Sequence, residues 1–181
     1  MVKEDCVLVQ EFQQGDAHAF EKLYQRYMDR IYVFILIKSG GNVALAQDIT
    51  SCTFLRAFEH LSHFTQMEKG TFSSRLYKIA YYCFIDAIKV KSAETLTLHS
   101  GNEEVEHIDM VDLYQQKMLT QEIIQFLETL GTEKKDLFLL RIWEGLSYNE
   151  ISEILGKSAE SCRQDFSRTL KKVAEKFKAM V

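Results

Sequence analysis

Apolar residues recur at intervals of three and four along most of the chain, and no segment sustains the alternation of a strand. Phe20, Leu23, Tyr24, Tyr27, Ile31, Phe34 and Ile35 form one such stripe. Gly15-Asp16 supplies a break and then an N-cap, so a helix is expected to start there. A second helix is predicted from about Asn42, carrying Ile49, Phe54, Leu55 and Phe58. "SHFTQMEKG" reads as a loop. A third helix runs from about Thr71 to Lys91 and turns Phe72, Leu76, Ile79, Ala80, Cys83 and Ile88 inward. Four further helical segments are predicted at roughly 113–129, 133–143, 147–155 and 159–178.

Between these sets lies "AETLTLHSGNEEVEHIDMVD", polar, acidic and without a sustained period. Charge divides the chain at the same place. Residues 1–92 carry 11 Lys+Arg against 10 Asp+Glu; residues 93–129 carry one Lys against eight acids; residues 130–181 carry ten bases against eight acids. The expected fold class is all-α: two small helical domains, 1–92 and 113–181, joined by a flexible acidic linker over 93–112. The absence of proline suits helices throughout, because proline breaks helix interiors. With a net charge of −4, any surface for nucleic acid must be local.

The last two helices carry the most specific local signals. Ser147 and Glu150 have the spacing of a capping box. Ile151, Ile154 and Leu155 share a face, and Gly156 stands where a left-handed residue ends a helix. The chain restarts at Ser158, and Cys162, Phe166, Leu170, Val173 and Phe177 continue an inner face. Two helices joined by so short a turn fit a helix-turn-helix. Arg163, Gln164, Ser167, Arg168 and Lys171 lie on the outer face of the second. Arginine pairs bidentately with guanine and glutamine with adenine in the major groove. The same spacing equally fits a packed hairpin with a solvated basic face. Asp165 weighs against DNA, since an exposed carboxylate repels phosphates.

Other chemistries find little support. Cys6, Cys52, Cys83 and Cys162 are scattered without a C-x-x-C. His60 and His63 sit three apart with no third ligand nearby in sequence, which reads as a solvated helix end, and no metal is expected. There is no Gly-rich phosphate loop, G-x-S-x-G or H-E-x-x-H, so neither a cofactor nor an enzymatic activity is expected. No apolar run reaches the length of a membrane span, and the acidic start is unlike a signal peptide. A cytoplasmic protein is expected.

Four stretches, in order, carry a resemblance. "GDAHAFEKLYQRYMDRIYVFIL", "ALAQDITSCTFLRAFEHL", "GTFSSRLYKIAYYCFIDAIK" and "LFLLRIWEGLSYNEISEILGKSAESCRQDFSRTLKKV" resemble successive segments of the extracytoplasmic-function (ECF) sigma factors of bacterial RNA polymerase. The resemblance implies a σ2-type domain followed by a σ4-type helix-turn-helix. It implies core-polymerase binding, on the β′ clamp helices, through Gln47, Asp48, Ser51, Phe54, Leu55 and Arg56. It implies opening of the −10 promoter element through the loop at about Ser62–Thr71, with Phe64 and Lys69, and through Tyr77, Lys78, Tyr81, Tyr82, Asp86 and Lys89. The −35 element would be read by Arg163, Gln164, Ser167, Arg168 and Lys171, with the polymerase β flap as a further partner. An anti-sigma factor is a possible inhibitor. The linker would thread the polymerase cleft, although its composition fits a plain tether as well.

Rings beside basic side chains suit single-stranded DNA, on which bases stack. Tyr77 lies within the apolar face and fits the core equally; Tyr81 and Tyr82 are adjacent, so at least one should be exposed. On residues alone, Gln47, Asp48 and Arg56 read as a solvated helix face. The chain departs from the family pattern at Ser51-Cys52, Arg75, Tyr81-Tyr82 and Asp165, and it lacks the usual σ4 prolines. These departures bear on promoter choice and on affinity for polymerase. Two alternatives remain: a stand-alone helix-turn-helix regulator, and a sigma-like protein that acts through protein interaction.

Overall fold

A computed structural model describes residues 4–61, 71–95 and 121–178. The chain forms two compact units, Met1–Val105 and Glu106–Val181. The expected loop at 62–70 and most of the expected linker lie outside the described residues.

The first unit contains α1 (Asp5–Gln13), α2 (Ala17–Lys38), α3 (Val43–Leu61) and α4 (Phe72–Thr95). Asp16 caps α2, its side chain accepting from the His18 amide at 3.0 Å. Asn42 does the same for α3, accepting from Leu45 at 2.9 Å. Each cap satisfies an amide that the first helical turn leaves without a partner. α4 runs to Thr95, beyond the expected end at Lys91 and into the segment read as linker. Ala93 and Glu94 favour helix by intrinsic propensity.

α3 packs between α2 and α4. Leu23, Ile31, Ile35, Leu76 and Tyr77 are fully buried at the centre. Tyr27 meets Phe72 edge-on at 5.6 Å, and Phe34 meets Tyr77 at 5.3 Å. α1, which the spacing did not single out, buries Leu8 and Val9. It is tied down by polar groups as well. The Asp5 carboxylate accepts from the Arg26 guanidinium and from the Tyr27 hydroxyl. Gln13 donates to the Leu61 carbonyl at 3.1 Å.

Several residues expected inside are exposed, for geometric reasons. Adjacent helical residues point about 100° apart, so with Phe54 buried Leu55 turns outward and is 61% exposed. Tyr24 and Ile88 sit at the rims of their stripes and are also exposed. Phe58 is half exposed but not isolated: its ring lies 5.3 Å from Phe12 and 5.0 Å from Phe20.

The second unit contains α5 (Gln121–Thr129), α6 (Thr132–Phe138), a π-helical turn (Leu139–Trp143), α7 (Tyr148–Leu155) and α8 (Ala159–Phe177). The single helix expected at 133–143 is therefore an α-helix that widens into a π turn. Residues 113–120 of the segment expected before it lie outside the described residues. Leu127, Leu137, Leu139, Leu140, Ile151 and Ile154 make the core. Arg141 closes the π turn by donating to the Leu146 carbonyl at 2.7 Å.

Burial and the neighbouring Asp5 carboxylate push the Tyr27 hydroxyl up to about 12. The folded chain thus holds this proton more tightly than the unfolded chain does. The associated stability is full below pH 10 and is lost as pH rises through 12. Urea midpoints between pH 9 and 12 should fall more steeply for the native chain than for Tyr27→Phe. Leu23→Ala should cost about 2–5 kcal/mol in the same titration at neutral pH.

Candidate nucleic-acid interface

The turn between α7 and α8 is built by three local devices. The Ser147 hydroxyl accepts from the Glu150 amide at 3.3 Å, while the Glu150 carboxylate accepts from the Ser147 amide at 2.9 Å. This reciprocal cap starts α7. Gly156, at φ +67°, ends it in a left-handed conformation open to glycine without strain. Ser158 then caps α8, accepting from the Ser161 amide at 3.1 Å.

α8 is held by one face. Cys162, Phe166, Thr169 and Val173 are buried. The Phe166 ring lies 5.8 Å from Phe138 and 6.1 Å from Tyr148. Leu170, expected inside, is exposed; Thr169 takes the inward position instead. Rotation by this one position leaves Arg163, Gln164, Ser167, Arg168 and Lys171 all exposed on the opposite side. Two of them are prepositioned by Glu160. Its carboxylate accepts from Gln164 at 3.0 Å and pairs with Arg163. These two contacts hold the Glu160 carboxyl below its ordinary range.

Asp165 does not project freely from this surface, contrary to the expectation that it would face phosphates. Its carboxylate lies 3.3 Å from the Lys157 ammonium, which also sits 2.6 Å from Glu133. Lys157 thus links α6, the turn and α8. Its ammonium is held above the ordinary lysine range, chiefly by the bond to Glu133 and further by Asp165. No residue spacing signals this link, because Glu133 lies on a separate helix. Beside it, Arg168, Lys171, Lys172 and Lys134 border an open groove that also contains Glu175.

In the first unit the expected sites divide between surface and core. Gln47, Asp48, Ser51, Leu55 and Arg56 are exposed on α3. Phe54 is not: it is 4% exposed and packs edge-on against Tyr24 at 4.7 Å. It can hold α3 in place but has no surface to offer a partner. Tyr77 is likewise corrected. It is fully buried against Phe34, because its position falls in the centre of the inward stripe of α4. Lys78 and Tyr81 are half-buried, and Tyr82, Asp86 and Lys89 are exposed. Phe64 and Lys69 lie outside the described residues. Asp86 reaches Arg56 at 3.5 Å, joining the α3 surface to that of α4. Sequence reasoning missed Lys38. Its stem is buried, and its ammonium lies 4.3 Å above the Tyr81 ring and 5.0 Å from that of Phe84. This cation fixes the ring beside Tyr82.

Lys157→Ala should release both Glu133 and Asp165. A loss of about 0.5–1 kcal/mol in urea unfolding is expected, since Lys157 and Asp165 are partly exposed and Glu133 is exposed, so that solvent screens both pairs. Asp165→Arg should set two cations against each other and lower stability rather than leave it unchanged. Chemical denaturation of the full chain measures both.

A family profile described as sigma-70, region 4 matches residues 120–173, which span α5 to most of α8. The chain is 32% identical over 155 residues to the ECF RNA polymerase sigma factor BldN of Streptomyces coelicolor, covering 83% of this chain but only 57% of BldN. It is 30% identical over 145 residues to RNA polymerase sigma factor YlaC of Bacillus subtilis, covering 77% of this chain and 81% of YlaC. Among solved structures, the fold is similar to that of a sigma factor, RpoE, crystallised with the anti-sigma factor NepR from Bartonella quintana. That likeness has a TM-score of 0.65 at 16% identity and covers 88% of this chain and 96% of the other. Likeness to YlaC takes in both helical units and most of each chain, and on that ground this protein belongs to the ECF RNA polymerase sigma factors.

Proposed function

We propose that this chain binds core RNA polymerase and directs it to specific promoters, acting by binding and strand capture in the cytoplasm without catalysing a reaction itself. The observation that carries this reading is the division of α8. Its apolar face is sealed, while all five side chains suited to base edges and phosphates are exposed. A helix so divided can enter a major groove without disturbing its own domain. Arg163, Gln164, Ser167 and Arg168 would face bases of the −35 element, and Lys171 a phosphate. The second unit would take the residues from about 113 to 181, with the β flap as its polymerase partner.

In the first unit, Gln47, Asp48, Ser51, Leu55 and Arg56 would meet the β′ clamp helices. Leu55 supplies exposed apolar area at the centre of a charged rim, the composition expected of a docking surface. Phe54 would support that helix from beneath. Tyr82, Lys78, Asp86 and Lys89 would act at the −10 element together with Phe64 and Lys69. An exposed ring can stack on an unpaired base at about 1–3 kcal/mol, which offsets the cost of unpairing. Tyr81, fixed by Lys38, would back Tyr82 as a support. The acidic segment would act as the connector. An anti-sigma factor would inhibit by covering the α3 surface; RpoE of Bartonella quintana was crystallised with such a partner. Among the described residues no helix is long and apolar enough to cross a membrane.

Reconstitution with core polymerase tests the reading. The native chain should give promoter-dependent transcripts from genomic fragments, and a gel shift should require core enzyme. Absence of any such transcript, or tight duplex binding by the chain alone, would overturn it. Arg168→Ala should lower promoter-dependent transcription about tenfold, in line with about 1–3 kcal/mol for a base-contacting arginine.

A further inference from the structure

Cys52 on α3 and Cys83 on α4 are 31 residues apart in sequence, yet their sulfurs lie 3.4 Å from one another. Cys83 is buried, whereas Cys52 is partly exposed. One turn along the same seam, Arg56 on α3 pairs with Asp86 on α4. The Arg56 guanidinium interacts electrostatically with both sulfurs, and at Cys83 it favours the ionised form against the effect of burial. The seam therefore holds two thiols in contact, one reachable from solvent, with a cation beside them. Contact at this distance leaves about 1.4 Å to close to the length of a disulfide, a movement within reach of side-chain rotation.

We propose that Cys52 and Cys83 form a thiol-oxidation site, at which a peroxide converts the pair into an intramolecular disulfide that staples α3 to α4. Cys52 is the entering group. Its thiolate attacks one peroxide oxygen; the S–O bond forms, the O–O bond breaks, and hydroxide leaves to take up the thiol proton as water. Cys83 resolves the resulting sulfenic acid. Its sulfur attacks Cys52, the S–S bond forms, the S–O bond breaks, and the hydroxyl leaves with the Cys83 proton as a second water. Two thiols are oxidised by two electrons in all, and one peroxide is reduced to two waters.

The division of labour follows from burial. Desolvation, reinforced by the neighbouring Cys52, pushes the Cys83 thiol up to about 11. It stays protonated at neutral pH and is a poor first nucleophile. As a resolving group it needs only proximity, because the sulfenic sulfur appears against it. The partly exposed Cys52 is reached first. The helices so joined bear the side chains proposed above for polymerase and for the −10 element, so the disulfide fixes the spacing between those two surfaces. The sulfur chemistry does not depend on that reading and is tested without polymerase.

The full native chain is treated with one equivalent of hydrogen peroxide at neutral pH and mapped by peptide mass spectrometry without reduction. The expected result is a Cys52–Cys83 linked peptide pair, free thiols reduced from four to two, and return to four on addition of dithiothreitol. The oxidised chain should remain monomeric on a non-reducing gel. Its thermal midpoint should rise by roughly 5 °C or more, because a cross-link across a loop of this length restricts the unfolded chain. Cys6→Ser should oxidise in the same way, while Cys52→Ser and Cys83→Ser should each yield no linked pair. Retention of four thiols, arrest as a sulfinic acid at Cys52, disulfide-linked dimers, or an unchanged or lowered midpoint would overturn the proposal.

Discussion

The seating of Phe166 against Phe138 and Tyr148 is the contact on which the second unit depends. An isolated helix the length of α8 is marginal in water, so its stability must come from packing along one face. Phe166 sits in the middle of that face, with Cys162 a turn before it and Val173 two turns after. Its position fixes the rotation of α8, and the rotation decides which side chains meet solvent. Nothing on the outer face needs to stabilise the fold. That freedom is what lets Arg163, Gln164, Ser167, Arg168 and Lys171 be chosen for a ligand.

The same logic operates in the first unit with a different outcome. α3 is sandwiched, so its surface is narrow, and the residues that border it are shared between packing and display. Phe54 and Leu55 are neighbours in sequence, yet one anchors on Tyr24 and the other is the most exposed large apolar residue among those described. Tyr77 and Tyr82 divide similarly on α4. The first completes the core against Phe34, and the second stands outside it. An aromatic residue in a segment that resembles a DNA-melting helix is therefore no guide to contact until its place in the helical turn is known.

Much of this could be read from residue spacing, and the failures have physical causes. Caps at Asp16, Ser147 and Ser158 and the glycine stop at Gly156 are local, so the expected helix starts and the turn appear where the sequence placed them. Inner faces were less legible at their rims. Counting four from Phe166 gives Leu170, whereas the helix turns Thr169 inward and leaves Leu170 in solvent. The π turn at Leu139–Trp143 carries no cue in an unbroken apolar run. Contacts made across helices were invisible. Lys157 with Glu133, Lys38 over Tyr81, and the paired sulfurs each join residues that only the folded chain brings together. In the candidate site the outer face of α8 was legible because its period is local. The restraint on Asp165 was not, because it is tertiary.

Glu160 gives the exposed face of α8 a further property. Its carboxylate keeps Arg163 and Gln164 folded along their own helix. On the proposed reading, a duplex would have to exchange with that internal partner before either side chain could extend. Guanine and adenine edges offer arginine and glutamine a two-pronged substitute, whereas an ill-matched base offers less than the carboxylate already provides. Wrong sequences would then leave the helix in its resting posture, and discrimination would begin with a contest inside the protein before any misfit with DNA is felt.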